Sequence, residues 1–221
     1  MSMILSLQGC MAVGKTTAVE YLQSHVPYIN ISYESNADMI GECQRRKLNK
    51  NIYEDFIEIQ KLWLMNEVRR WEMAQHHSCT VMDFGAEEIE FYTLNYPKSM
   101  GFDWDVETPL GKELEAVRKC MPDRILFLDA SEDVLRKHKK MDATRSREFF
   151  EYYLTHLLPL KRKWFLSRPD VDILSVENLT ANEVGQKVKG WVDCHYYNRA
   201  CLFNAQKLAD KLLFDKFPPW D

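Results

Sequence analysis

Residues 9–17 read GCMAVGKTT, directly after the apolar run MILSL and directly before AVEYL. The spacing G-x-x-x-x-G-K-T in that setting demands a strand that ends in a tight loop and restarts as a helix. Glycines at positions 9 and 14 let the backbone curl so that successive N–H groups point inward. A helix beginning at Lys15 would add its unpaired amides and partial positive charge to the same concavity. The result is an anion cradle lined by Gly9, Cys10, Met11, Ala12, Val13, Gly14, Lys15, Thr16 and Thr17. Lys15 would reach the β- and γ-phosphate oxygens of a nucleotide, and the Thr16 hydroxyl would coordinate Mg²⁺. A flexible glycine turn before an ordinary helix is the plainer alternative. The strand on one side and the helix on the other argue against it.

The rest of the chain alternates in the same way. Strands are expected at residues 3–7, 28–33, 79–83, 124–129 and 171–176, of which RILFLD (124–129) is the clearest. Ile52, Phe56, Ile59 and Trp63 recur at helical intervals and mark an amphipathic helix over about 51–77. Ser35, three residues before Asp38, is a candidate cap, and Ser131-Glu132-Asp133 caps a basic helix over 134–141. Pro159 predicts a kink or break in a helix over 147–168, and Thr180-x-x-Glu183 is a capping box opening a helix to about residue 197. Near-continuously apolar strands between helices imply a parallel sheet covered on both faces. Residues 96–111 carry turn formers and aromatics and read as an insertion or a substrate-side loop. One domain over 1–197 accounts for most of the chain, with a tail over 198–221 that could form a short helix at 205–214.

Composition narrows the function classes. At 221 residues, 46% hydrophobic and 28% charged, the chain can bury one sizeable core and is not disordered. Its net charge of −4 argues against a broad basic face for duplex nucleic acid. Cys10, Cys43, Cys79, Cys120, Cys194 and Cys201 lie far apart without C-x-x-C spacing, as buried or incidental thiols of a reducing compartment do. No stretch approaches the roughly 20 apolar residues of a membrane span. No basic segment precedes the first strand, so the cytoplasm is the expected location. Helix faces alone leave a homodimer open.

The guanine-reading N-K-x-D tetrapeptide is missing, because Asn49-Lys50-Asn51-Ile52 lacks the aspartate. The early loop, the small single domain and the basic segment before the last strand make the chain resemble P-loop nucleoside and nucleotide kinases, in the style of deoxynucleoside and thymidylate kinases. The resembling pieces span residues 3–192: GCMAVGKTT, Tyr33-Glu34 ending the second strand, Asp83 ending the third, LFLDASEDVLRKHKKMDATRSR, and DILSVENLTANEV. The resemblance implies an α/β three-layer fold, a five-stranded parallel sheet with helices on both faces, and a mobile lid over about 136–150. It also implies ATP as donor, Mg²⁺, and a nucleoside or nucleotide as the small-molecule acceptor. Glu34 would then take the proton from the attacking hydroxyl, the alternative being a solvated acid beside Ser35. Asp83 would hold Mg²⁺ directly or through water, or receive the proton itself, against a plain turn role. Those kinases usually follow this acid with an arginine; here Phe84 and Gly85 follow. Asp83-Phe84-Gly85 also spells the metal motif of protein kinases, but no H-R-D loop exists in the sequence and the match is accidental.

Arg136-Lys137-His138-Lys139-Lys140, then Arg145 and Arg147, supply cations between the fourth strand and the last. Phosphoryl transfer spreads negative charge over equatorial oxygens, and arginines that close onto them stabilise the transition state. Arg136 would bind the nucleotide, and Arg145 and Arg147 would act from the lid. A charge run is otherwise a solvated face. Asp129 reads as structural, and residues 176–179 resemble the segment that packs on adenine. His76 and His77 do not share a helix face and read as surface residues rather than a metal pair. Cys10 stands near a helix start that would lower its thiol pKa, against an inert filler. Among the aromatics, Trp63 and Trp71 fit core packing, whereas Phe102 and Trp104 are acceptor-side candidates. The sequence thus points to an ATP- and Mg²⁺-dependent phosphotransferase. Its rivals are a kinase of antibiotics, sugars or shikimate-like acids, and a nucleotide switch that phosphorylates nothing.

Overall fold

The computed structural model describes residues 2–34, 36–141 and 149–216, with side chains as far as residue 199. The expected cap Ser35 and the lid residues Arg145 and Arg147 lie outside the described residues.

Five strands form one parallel sheet in the order β2-β3-β1-β4-β5. They are β1 (Met3–Gly9), β2 (Asn30–Ser32), β3 (Cys79–Asp83), β4 (Arg124–Asp129) and β5 (Val171–Ser175). Every residue of β1 is buried, as a central strand covered on both faces requires. Its register sets Leu7 beside Asp83 and Gly9 beside Leu128, so loop and acid leave the same edge of the sheet. This is the carboxyl edge, where open α/β sheets hold ligands, and β1 is the strand at which chain progression reverses direction.

The helices are α1 (Lys15–His25), α2 (Ala37–Arg45), α3 (Tyr53–Ala74), α4 (Ala86–Ser99), α5 (Gly111–Arg118), α6 (Glu132–Met141), α7 (Phe150–Tyr152), α8 (Leu158–Leu166) and α9 (Ala181–Lys216). α1 packs with α9, while α3, α4, α5 and α8 form a second group. One core cluster, running from Met3 to Val192, joins sheet and helices. Gly185 lets α9 approach α1 closely, since a β-carbon there would lie 2.3 Å from the Tyr21 ring.

Several local expectations are met by visible chemistry. Thr180 and Glu183 exchange capping bonds in both directions, with Thr180 N donating to Glu183 Oε2 at 2.8 Å. The helix so opened runs on to Lys216, so the segment marked off as a tail continues α9. Before Pro159, the chain makes a π-helical turn over Tyr153–Leu157 between α7 and α8. The proline sits where a missing N–H is tolerated, and the break falls just ahead of it. Residues 96–111 are not one loop: α4 extends to Ser99, α5 starts at Gly111, and only the residues between are irregular. Among the described residues, no helix is long and apolar enough to cross a membrane.

Candidate functional site

The loop after β1 has the backbone its glycines predict. Gly9 and Gly14 have φ of +137° and +101°, and Ala12 between them is also left-handed at +63°. A β-carbon on Gly9 would lie 2.4 Å from the Leu128 carbonyl oxygen, so only glycine fits there. The helix that follows is left bare at its positive end. Gly14 caps α1 without a side-chain bond and its first turn carries no acid, whereas α2 to α6 each carry at least one. Unpaired amides and an uncompensated dipole make that end an anion site.

Lys15 Nζ donates to the carbonyls of Gly9 at 3.1 Å and Cys10 at 3.0 Å. Burial, and then the charge of Lys161, pull the Lys15 pKa below its ordinary value. Residues 11–17 and Gly9 line the cleft, but the side chain of Cys10 belongs to the core. Burial pushes its thiol up to about 11, outweighing the nearby lysines, the opposite direction to activation by the helix start.

The cleft has a volume of about 1640 Å³. Sites for one small molecule run to roughly 300–1,000 Å³, so this cleft is larger than one such ligand needs. The loop, Lys137, His138 and residues 179–181 line one end, and α2, α3 and α4 line the other. Leu179, from the segment that resembles an adenine-packing one, lines the cleft.

Between the two ends stand Glu34, Asp83 and Glu88. Asp83 Oδ1 is buried and makes no hydrogen bond, a fit for a cation when one is present. The Glu34 carboxyl is pushed up to about 7, chiefly by loss of water over the cleft and then by the charge of Asp83. As a residue Glu34 is nonetheless exposed, so solvent reaches it from the outer side.

The turn after Asp83 is held from three directions. Phe84 is left-handed, with φ of +43°, and its N–H donates to Leu7 O at 3.1 Å. Glu87, fully buried, accepts from Ser6 Oγ, from Gln8 Nε2 at 2.7 Å and from the Gly85 N–H at 3.1 Å. Arg70, from α3, donates to Ser32 O at 3.0 Å and Phe84 O at 3.2 Å while Glu67 grips it at 2.8 Å. Arg70 therefore rivets the ends of β2 and β3, from which Glu34 and Asp83 project.

No protein-family model matches the chain, and no curated protein matches it by sequence. Solved structures do match. A thymidylate kinase from Candida albicans superposes with a TM-score of 0.60 at 14% identity, over 88% of this chain and 92% of that one. A deoxyadenosine kinase from M. mycoides gives 0.61 with dCTP bound and 0.63 with product dCMP and dCDP bound, each at 14% identity over 87% of this chain and 100% of that one. The fold is that of P-loop nucleoside and nucleotide kinases.

On that fold, the remaining candidates sort by position. Arg136 pairs with Glu132 at 3.1 Å and Glu151 at 3.2 Å and does not line the cleft; its neighbours Lys137 and His138 do. His138 Nδ1 lies 3.1 Å from the Ala12 carbonyl, which docks α6 against the phosphate loop. Asp129 is structural, gripped by Arg162 at 2.8 Å. Phe102 and Trp104 stack on each other at 4.3 Å, with Trp104 against Phe56 and Tyr53, away from the cleft. Trp63, Tyr92 and Phe149 line the cleft instead. His76 and His77 are exposed, and among the described residues no His, Cys, Asp and Glu cluster is built for a metal. Two residues of the site carry no signal in the sequence, Arg70 and Lys161. Each stands beside other cations in an ordinary helical stretch, and only the fold sets Lys161 in the cleft wall and Arg70 behind the ends of β2 and β3.

Proposed function

We propose that the protein is an ATP- and Mg²⁺-dependent phosphotransferase acting on a nucleoside, a nucleotide or a similar small molecule. The observation that carries this reading is convergence. The phosphate loop, an acid with a bare buried oxygen and a carboxyl of raised pKa all face one cavity with room for donor and acceptor.

Thr16 and Asp83 would hold Mg²⁺, which supplies charge neutralisation on the phosphates. The loop amides and the α1 dipole bind the phosphate chain, and Lys15 exchanges its two carbonyls for phosphate oxygens. Glu34 accepts the proton of the acceptor hydroxyl at its carboxylate, and a pKa near 7 suits a base working near neutrality. Trp63, Tyr92 and Phe149 offer flat apolar surface to a planar acceptor. Arg145 and Arg147 would supply positive charge to the transferring group as the lid cations the family resemblance implies, and water has to be excluded because an open site would hydrolyse the donor.

The test is ADP release from ATP and Mg²⁺ across a panel of nucleosides, nucleotides, sugars and aminoglycosides. Acceptor-dependent turnover that Lys15→Ala and Glu34→Gln each cut by on the order of 10²-fold or more is the expected result. Wild-type transfer by both variants would overturn the assignments. Steady ATP hydrolysis that no acceptor stimulates would favour a switch.

A further inference from the structure

Lys161 is the most deeply placed cation of the cleft, at 1% exposure. It comes from α8, the helix beyond the π-helical turn, and rises beneath the phosphate loop. Its Nζ donates to Gly9 O at 3.1 Å, the oxygen that Lys15 Nζ also reaches at 3.1 Å. Glu88, in the first turn of α4, answers it with Oε2 at 2.6 Å. Lys15, Lys161 and Glu88 all line the cavity.

This arrangement is a poor solution for mere reinforcement. Lysine is almost never fully buried unless paired, and apolar residues of similar volume commonly stabilise a fold as well as a buried ion pair does. Here one neutral carbonyl carries two ammonium groups that repel each other, and the Lys161 charge helps depress the Lys15 pKa. Like charges gathered on a weak dipole, at the mouth of an amide-lined anion cradle, find their best partner in a multivalent anion. Lys15 must leave Gly9 O to meet a phosphate, and Lys161 shares that oxygen.

We infer that Lys161 is a second cation of the phosphate site, and that Glu88 is the carboxylate holding it back until a phosphate chain arrives. The inference rests on the reading of the cleft as a nucleotide site and goes beyond it, because it adds a second lysine and a competing carboxylate to that site. The ligand chemistry it selects is a polyphosphate, whose several charged oxygens can replace Gly9 O for both ammonium groups and outcompete Glu88, with more charge than a monophosphate brings. Glu88 thereby tunes affinity, weakening the site for any anion that cannot displace it from Lys161.

Calorimetric titration with ATP, AMP and inorganic tripolyphosphate tests this on the full chain. Lys161→Met alone strands Glu88 in a buried place, so the informative variant is Lys161→Met/Glu88→Gln, checked by thermal unfolding. It should lose about tenfold in affinity for ATP and tripolyphosphate, the worth of one charge-assisted contact, with AMP little changed. Glu88→Gln alone, which frees Lys161 and keeps the volume, should tighten tripolyphosphate binding. A folded double variant that binds tripolyphosphate like wild type overturns the inference. So does a Glu88→Gln protein whose binding is unchanged or weaker, and that result stands even where the double variant does not fold. If wild type binds neither ATP nor tripolyphosphate, the nucleotide reading itself falls. If wild type binds and Lys15→Ala does not, that reading stands, and the Lys161 and Glu88 variants decide their own roles independently of it.

Discussion

At the loop end of the cleft, the ligand-facing groups are backbone amides and lysines fixed to a loop carbonyl. At the opposite end they are side chains from α2, α3, α4 and the start of α7, among them Cys43, Trp63 and Tyr92. The first end is written in nine consecutive residues, and its geometry follows from two glycines and a helix start. The second is assembled from positions tens of residues apart, each a single side chain on a helix whose backbone would tolerate others. Backbone chemistry suits what every donor has in common, its phosphates. Side-chain chemistry suits what distinguishes one acceptor from another.

That contrast breaks most visibly at Arg70, which belongs to neither end but holds the acids between them. Arg70→Met should strand buried Glu67 and lower stability by about 3–5 kcal/mol, read by chemical denaturation. Arg70→Met/Glu67→Gln should regain much of that loss while transfer stays impaired. Full recovery of transfer would reduce Arg70 to a packing element. Next in size, Lys15→Ala should cut turnover by roughly 10²–10³-fold, as loss of one preorganised charge contact does, with unfolding nearly unchanged. An equal loss of acceptor binding would mean that the two ends are not separable.

Glu34→Gln should cost on the order of 10²-fold in the transfer step. Wild-type kcat/KM should rise as pH passes through about 7, because the base works ionised. The folding signature has the opposite sign. A carboxyl whose pKa is raised on folding contributes stability below its unfolded value, and that contribution is lost as pH climbs through about 7. Thermal unfolding across pH 5 to 8 should show this decline, and Glu34→Gln should flatten it. The smallest effect is expected at Arg136. It is half-buried, outside the cleft lining, and occupied by Glu132 and Glu151, so Arg136→Ala should leave ATP affinity as it is. A clear loss of affinity would return this arginine to the donor site.

Legibility follows the same division. The phosphate loop, all five strands, α1 and α6, and the Thr180 capping box can be read directly, because each is a local pattern with its own periodicity or turn chemistry. α4 cannot. Its residues Ala86, Glu87, Ile89, Glu90, Phe91, Thr93, Leu94, Asn95, Tyr96 and Pro97 are all buried, so it shows no polar face and hence no amphipathic stripe. The acceptor-side aromatics mislead for a related reason. Trp63 lies on a helical repeat that suggests core, and it packs on the core while also facing the cavity. Phe102 and Trp104 lie in a turn-rich stretch that suggests a loop over substrate, yet they close on Phe56 and on each other. Lys161 stands in LKRKW, a cluster that reads as solvated; what buries it is the tertiary packing of α8.

The π-helical turn at Tyr153–Leu157 has a consequence for that lysine. One surplus residue in a helix acts as a phase shifter: everything after it is rotated by about 100°, the angle one residue subtends in an α-helix. Lys161, beneath the loop, and Arg162, which reaches Asp129 at 2.8 Å, both lie beyond this offset. Excising a single residue from the turn would dial both away from their targets with every chemical group retained. The charge under the phosphate cradle is therefore encoded by residue count as much as by residue type.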